Sequence, residues 1–286
     1  MKRFIKDDTY HIVYEDLNEF FTQTDPASPP DNMNRSNQHH VDQMTSDGSW
    51  RYGDEKNKAA FYNVRFDPSK GKRLCAEAVK NVMADKTYKK LITQAMTYRK
   101  RIKFEDHGFR LNVAKAISGE DRYFGVYKNA QRPVVKIAIN ICGSACVNQE
   151  AFRRVAETAI PTIYALETAG IATEVYYCAF VDGCHEQENG EDIKFSATHV
   201  KIKSSQQRFN WTTFAPVFCL GSYRESIFMS WIGSSYKADS GLGRPMADYK
   251  IESHDNYGYT SVIGLNAVGP VKTVGEIFKS LEKKGT

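Results

Sequence analysis

The chain has 286 residues, 41% hydrophobic and 26% charged, with a formal net charge of +5, the composition of a soluble globular protein able to bury a real core. It contains no uninterrupted apolar run of membrane-spanning length, and its opening residues, MKRFIKDDTYHIVYEDL, lack the apolar core of a signal peptide. A membrane partner is therefore not expected, and a cytoplasmic location is.

The first 21 residues read as a short helical or strand-like opening. Residues 22–58 are rich in Asp, Asn, Ser, Pro and Gln, a composition that opposes regular structure and reads as a long loop or arm closed by Trp50 and Tyr52. The adjacent His39 and His40 have no evident third donor nearby, so they read as solvated side chains in preference to metal ligands.

From Lys72 to Lys115 the pattern turns helical and basic. Leu74, Ala78 and Val82, then Tyr88, Leu91, Ala95 and Tyr98, support one or two amphipathic helices. Residues 80–115 hold ten Lys or Arg against three acids, a local excess of seven in a chain whose total is only +5. Such concentration is the footprint of a nucleic-acid surface. Lys89, Lys90, Arg99, Lys100, Arg101 and Lys103 are the candidate phosphate contacts, and Tyr98, Phe104 and Phe109 interleave with them as candidate stacking rings for unpaired bases. The same run also reads as a solvated helix face with aromatic core residues.

Residues 132–183 specify a fold class. Val134 to Ile141 is a short apolar, β-branched run that suits a buried strand. Phe152, Val155, Ala156, Ala159, Ile163, Leu166 and Ala169 then recur at helical spacing up to Gly170, a helix stop, and Thr173 to Val181 is a second strand. A strand, helix, strand unit requires a parallel sheet with a right-handed crossover.

The turn after the first strand reads Asn140-Ile-Cys142-Gly-Ser144. It lies where open α/β sheets bind ligands, beyond the strand ends. The pattern resembles the D-x-S-x-S metal-ion-dependent adhesion motif of von Willebrand factor A domains, whose Asp, two Ser, Thr and second Asp hold a divalent cation. Asn140 puts a neutral amide where that motif has a carboxylate, and Cys142 puts a soft thiol where it has a hydroxyl. Mg²⁺ prefers hard oxygen ligands, so no cofactor and no working metal site is expected, and the face of Asn140, Cys142, Ser144 and Asp182 reads as a degenerate metal site or partner surface.

Six cysteines occur, at positions 75, 142, 146, 178, 184 and 219. Cys142 with Cys146, and Cys184 with His185, have spacings that suit zinc, but no second regular Cys/His pair appears, and reduced, partly buried thiols are the expectation.

Towards the C-terminus, Thr173 to Val181 and Ile193 to Lys203 flank the acidic segment CHEQENGED and suggest an antiparallel hairpin at a sheet edge. Residues 211–232 read as a buried aromatic helix, residues 233–258 as a loop, Tyr259 to Val268 as a strand, and Thr273 to Lys284 as a helix opened by a capping box.

The segment VKIAINICGSACVNQEAFRRVAETAIPTIYALETAGIATEVYY, followed by a Lys-rich strand and the aromatic SYRESIFMSW, resembles an uncharacterised family of tailed-phage proteins with a von Willebrand A-like or Rossmann-like core. The resemblance spans roughly residues 110–270 and implies a von Willebrand A-like α/β domain with a mostly parallel sheet flanked by helices; with the arm and basic helical region read above, the chain divides into residues 1–115 and 116–286. Some short-tailed phages encode a single-stranded-DNA-binding protein that recruits an RNA polymerase, phage or host.

The resulting expectation is a phage-encoded accessory protein that binds single-stranded nucleic acid in the host cytoplasm in transcription or replication. The alternatives are a von Willebrand A-like protein-interaction module and an enzyme on a Rossmann-like sheet. Enzymatic activity is not expected, because Ser144 lacks a G-x-S-x-G elbow and the set of nucleophile, base and stabiliser is never completed, with His185, His199 or His254 the bases a Cys142 or Ser144 nucleophile would need.

Overall fold

The computed structural model describes residues 1–6, 8–24, 71–97, 103–105, 110–111, 115, 117–118, 124–126, 133–142, 147, 149–188, 191–210, 214, 226–227, 229–230, 244–245 and 257–284. The unit foreseen from the sequence is its centre: β6 (Val134–Asn140), α4 (Gln149–Thr168) and β7 (Ala172–Glu188), with β6 and β7 parallel. α4 buries Phe152, Val155, Ala156, Ala159, Ile163 and Leu166. It ends at Gly170, whose φ of 82° is left-handed. There the Gly170 N–H donates to the Glu167 carbonyl and the Ile171 N–H to the Leu166 carbonyl, the paired bonds of a Schellman stop.

β7 turns back into β8 (Glu191–Lys203) as an antiparallel hairpin, paired as far as Glu188 with Glu191. The hairpin does not lie at a sheet edge. β2 (Thr9–Tyr14) pairs with β8 in parallel, and β1 (Lys2–Lys6) pairs antiparallel with β2. The cause is a contact between residues nearly two hundred positions apart, which no local pattern announces. It is anchored at Asp8, at φ 60° in the β1–β2 turn: its carbonyl accepts from the N–H groups of Lys194 and Phe195, and its carboxylate holds the Lys194 ammonium at 2.7 Å. β10 (Ser261–Ile263) joins β6 in parallel on the far side, and β9 (Arg244–Pro245) adds to β7. The seven-stranded sheet is mixed, in the order β1-β2-β8-β7-β6-β10 with β9 beside β7.

Helices α2 (Gly71–Met83), α3 (Lys86–Thr97) and α5 (Pro270–Lys284) pack with α4 over one face of this sheet. Ile12, Val135, Ile137, Val175, Val200 and Ile263 supply the strand side of that core, and Ala78, Val79, Tyr88 and Ile92 bring α2 and α3 into it. Residues from both sides of position 115 therefore meet in one core. α1 (Leu17–Gln23) adds Phe20 to it. The Tyr88 hydroxyl donates to the Pro161 carbonyl at 2.5 Å, pinning α3 to the middle of α4.

Three sequence expectations shift in detail. The basic segment is not helical throughout, because β3 (Lys103–Glu105) and β4 (Arg110–Leu111) flank β5 (Phe124–Val126) in a second, three-stranded antiparallel sheet. The last strand is shorter than expected. α5 begins at Pro270, three residues before Thr273, whose hydroxyl bonds back to the Gly269 carbonyl; proline at the first helical position replaces the expected Thr cap. The helix expected over residues 211–232 lies mostly outside the described residues.

Candidate functional site

The exposed faces of α2 and α3 carry Lys80, Lys86, Lys89 and Lys90. Their placement follows from the apolar stripe: once Ala78, Val79, Tyr88 and Ile92 turn into the core, the lysines must face water. Asp85 fixes the start of α3, its carboxylate accepting from the N–H groups of Thr87 at 2.6 Å and Tyr88 at 3.2 Å. Several cations elsewhere have acidic partners. Lys2 and Lys201 reach Glu15, Arg153 reaches Glu150 and Glu157, Lys194 reaches Asp8, and Lys203 reaches Glu167. Among the described residues none of Lys80, Lys86, Lys89 and Lys90 is in an ion pair. Of the residues expected to bind nucleic acid, Lys89 and Lys90 stand on this face. Lys103 and Phe104 lie on β3, while Tyr98, Arg99, Lys100, Arg101 and Phe109 lie outside the described residues.

At the carboxyl end of β6, the Asn140 side chain is buried and its Oδ1 accepts the Cys142 N–H at 3.0 Å, so the amide shapes the turn. Cys142 is fully buried in the helix-side core. Ser144 lies outside the described residues. Asp182 is half-buried and sits four residues past Cys178, the register partner of Asn140, about 13 Å along an extended strand. Among the described residues no three His, Cys, Asp or Glu side chains are grouped to hold a metal ion.

The opposite face of the sheet holds an arrangement that sequence reading did not assemble. Alternation along the strands puts Lys136, Ala138 and Asn140 of β6, Tyr176, Cys178 and Phe180 of β7, and Ala197, His199 and Lys201 of β8 on this side. Four rings form a column across it: Phe4 stacks on His11 at 4.8 Å, Tyr257 stacks on His199 at 4.3 Å, and the two imidazoles, 16° from parallel with centroids 5.1 Å apart, meet edge to edge. His11 Nδ1 and His199 Nε2 share a hydrogen bond of 2.9 Å. His199 Nδ1 and the Tyr259 hydroxyl share one of 2.6 Å, and that hydroxyl meets the Cys178 sulfur at 3.2 Å. Two opposite proton orders, Cys178 towards His11 or His11 towards Cys178, satisfy all three contacts.

The electrostatics keep this network neutral. Burial pushes the Cys178 thiol up to about 12 and the Tyr259 hydroxyl well above its usual range. Burial, then His11, then Lys136 hold His199 well below the ordinary histidine value. The thiol is therefore protonated and a poor nucleophile at neutral pH. Beside it the Lys136 ammonium lies over the Tyr257 ring at 3.8 Å, within 5.1 Å of Tyr176 and 5.4 Å of Tyr259, and donates to the Tyr257 carbonyl. The aromatic cage is thus filled by the chain's own cation.

The sign of this network in the sequence was the run of polar residues at alternate positions of otherwise apolar strands. Cys178 alone read as a small buried hydrophobe, and His199 as one of three distant bases for Cys142 or Ser144. In the structure His199 faces Cys178. A cavity of about 380 Å³ opens at the other end of the sheet, beyond β2 and β8, lined by Glu15, Asn18, Lys201, Lys203, Ser204 and Gln207 among others, with no histidine in its wall.

Comparison with known families gives one match: the model of a domain of unknown function (DUF7192) covers residues 3–276, and the chain belongs to that family. No curated protein and no solved structure matches it.

Proposed function

We propose that this DUF7192 member is a single-stranded nucleic-acid-binding accessory protein, without catalytic activity, that works in a phage-infected cytoplasm beside a polymerase. The observation that supports the reading is the set of exposed lysines Lys80, Lys86, Lys89 and Lys90 on α2 and α3, which among the described residues stand outside any ion pair. A lysine without a protein anion on a fixed helix face suits a phosphate. The density of cations continues in sequence through Arg99, Lys100, Arg101 and Lys103, interleaved with Tyr98, Phe104 and Phe109. Rings beside cations favour unpaired bases over duplex.

The test is fluorescence anisotropy with labelled single-stranded and duplex DNA, comparing the natural chain with a variant carrying Lys80→Gln, Lys86→Gln, Lys89→Gln and Lys90→Gln. These positions are exposed and glutamine is a comparable helix former, so the fold is retained. Single-strand affinity is expected to fall at least tenfold in the variant. Equal binding by both proteins, or none by either, overturns the reading.

A second reading, a von Willebrand A-like docking module, is favoured by a different observation. The succession β6, α4, β7, antiparallel β8, then β10 and α5 follows the layout of such domains, and puts Asn140, Cys142 and Asp182 towards the carboxyl ends of β6 and β7. Absence of nucleic-acid binding in the same experiment leaves this reading in place.

A further inference from the structure

The ring column ties together pieces far apart in the chain. Phe4 comes from β1, His11 from β2, His199 from β8, and Tyr257 from the segment before β10. Its two imidazoles are 2% and 1% exposed and touch each other edge to edge through one shared proton. We propose that this column is a pH-sensitive latch: protonation of the His11–His199 pair frees the β1–β2 hairpin and residues 257–260 from this face of the sheet, while the β6–α4–β7 core stays folded.

The argument rests on what surrounds the pair. β6 presents Lys136, and β8 presents Lys201 two residues beyond His199, held by Glu15 at 3.5 Å. β1 sets Lys2 and Lys6 on either side of Phe4, Lys2 also bound to Glu15. β7 presents Cys178, Tyr176 and Glu174, the last already taken by the Tyr176 hydroxyl at 2.6 Å. The 257–260 segment presents the hydroxyls of Tyr257 and Tyr259. The charged groups acting on His199, His11 and Lys136, both oppose a proton there. One added proton can keep the hydrogen bonds, since an imidazolium donates from both nitrogens; a second sets N–H against N–H across 2.9 Å.

The sign follows from linkage. A buried histidine held below its unfolded value makes the released state the better proton binder, so the latch is closed above the ordinary histidine value of 6.5 and weakens as pH falls below it. One proton changes the open-to-closed ratio by up to about tenfold per pH unit in that window. α4 covers the other face, whose core of described residues is apolar.

The experiment is hydrogen exchange on the full chain at pH 7.5 and 5.5, corrected for intrinsic exchange. Exchange in residues 2–14 and 257–260 is expected to rise about tenfold at the lower pH, with α4 and β6 unchanged, and this response is expected to shrink in His11→Gln. Unchanged exchange in residues 2–14 and 257–260, an equal rise in α4 and β6, or an undiminished response in His11→Gln overturns the latch. If His11→Gln does not fold, the regional pattern in the natural chain decides.

Discussion

Lys203 shows how a single residue ties the fold together. Its ammonium is 2% exposed and spends its three protons on the Thr173 carbonyl at 2.8 Å, the Ser204 carbonyl at 3.1 Å and the Glu167 carboxylate at 2.8 Å. Glu167 also accepts the Thr173 N–H and hydroxyl, so the end of α4, the start of β7 and the end of β8 share one ionic node. Removing the carboxylate leaves a buried, uncompensated charge, which typically costs several kcal/mol. Glu167→Ala is expected to lower unfolding free energy by about 3 kcal/mol in a urea titration, discounted because the carboxylate side is partly open to water. A loss below about 1 kcal/mol would show that water replaces the anion. Nothing in the sequence marks Glu167 and Lys203 as partners, because the pairing exists only after β7 and β8 have been laid antiparallel. The ring column is invisible for the same reason: Phe4, His11, His199 and Tyr257 are neighbours through strand register, which sequence distance conceals.

Elements were legible where their signals are local. β6, α4 and β7 each carry a bounded period, and Gly170 closes α4 as a left-handed stop with its two carbonyl bonds. At φ 82° a side chain strains the backbone, so Gly170→Ala is expected to destabilise the protein by about 1 to 2 kcal/mol, read from the denaturation midpoint. An unchanged midpoint would mean that the stop relaxes without cost. Elements whose identity depends on a remote partner were misread. The β7–β8 hairpin reads as an edge because an edge and an interior hairpin have the same sequence when both faces are covered, and only the arrival of β2 distinguishes them. β3 and β4 were submerged in a basic run whose helical spacing belongs to α2 and α3, since their pairing partners on β5 lie 13 to 23 residues further on.

At the scale of the whole molecule, the sheet has two faces with different chemistry. One is apolar and carries the helices of the described residues; the other carries titratable rings, a thiol and a caged lysine. The candidate nucleic-acid surface belongs to the helical side, on the outward lysines of α2 and α3, and the latch belongs to the opposite side. The two can therefore be tested independently. The α/β class and the concentration of positive charge were readable from residue order; the partnership of the first fourteen residues with β8 was not, because a parallel contact across the length of the chain leaves no periodic trace.

The measurement that bears most directly on the proposed function is the salt dependence of single-stranded DNA binding by the natural chain and by the four-lysine variant. Each phosphate neutralised on a single strand contributes about −0.7 to the slope of log affinity against log salt concentration, so four lysines in contact predict a slope about 2.8 shallower in the variant. A difference of at least 2 supports phosphate contact by α2 and α3. Parallel lines for the two proteins would contradict it.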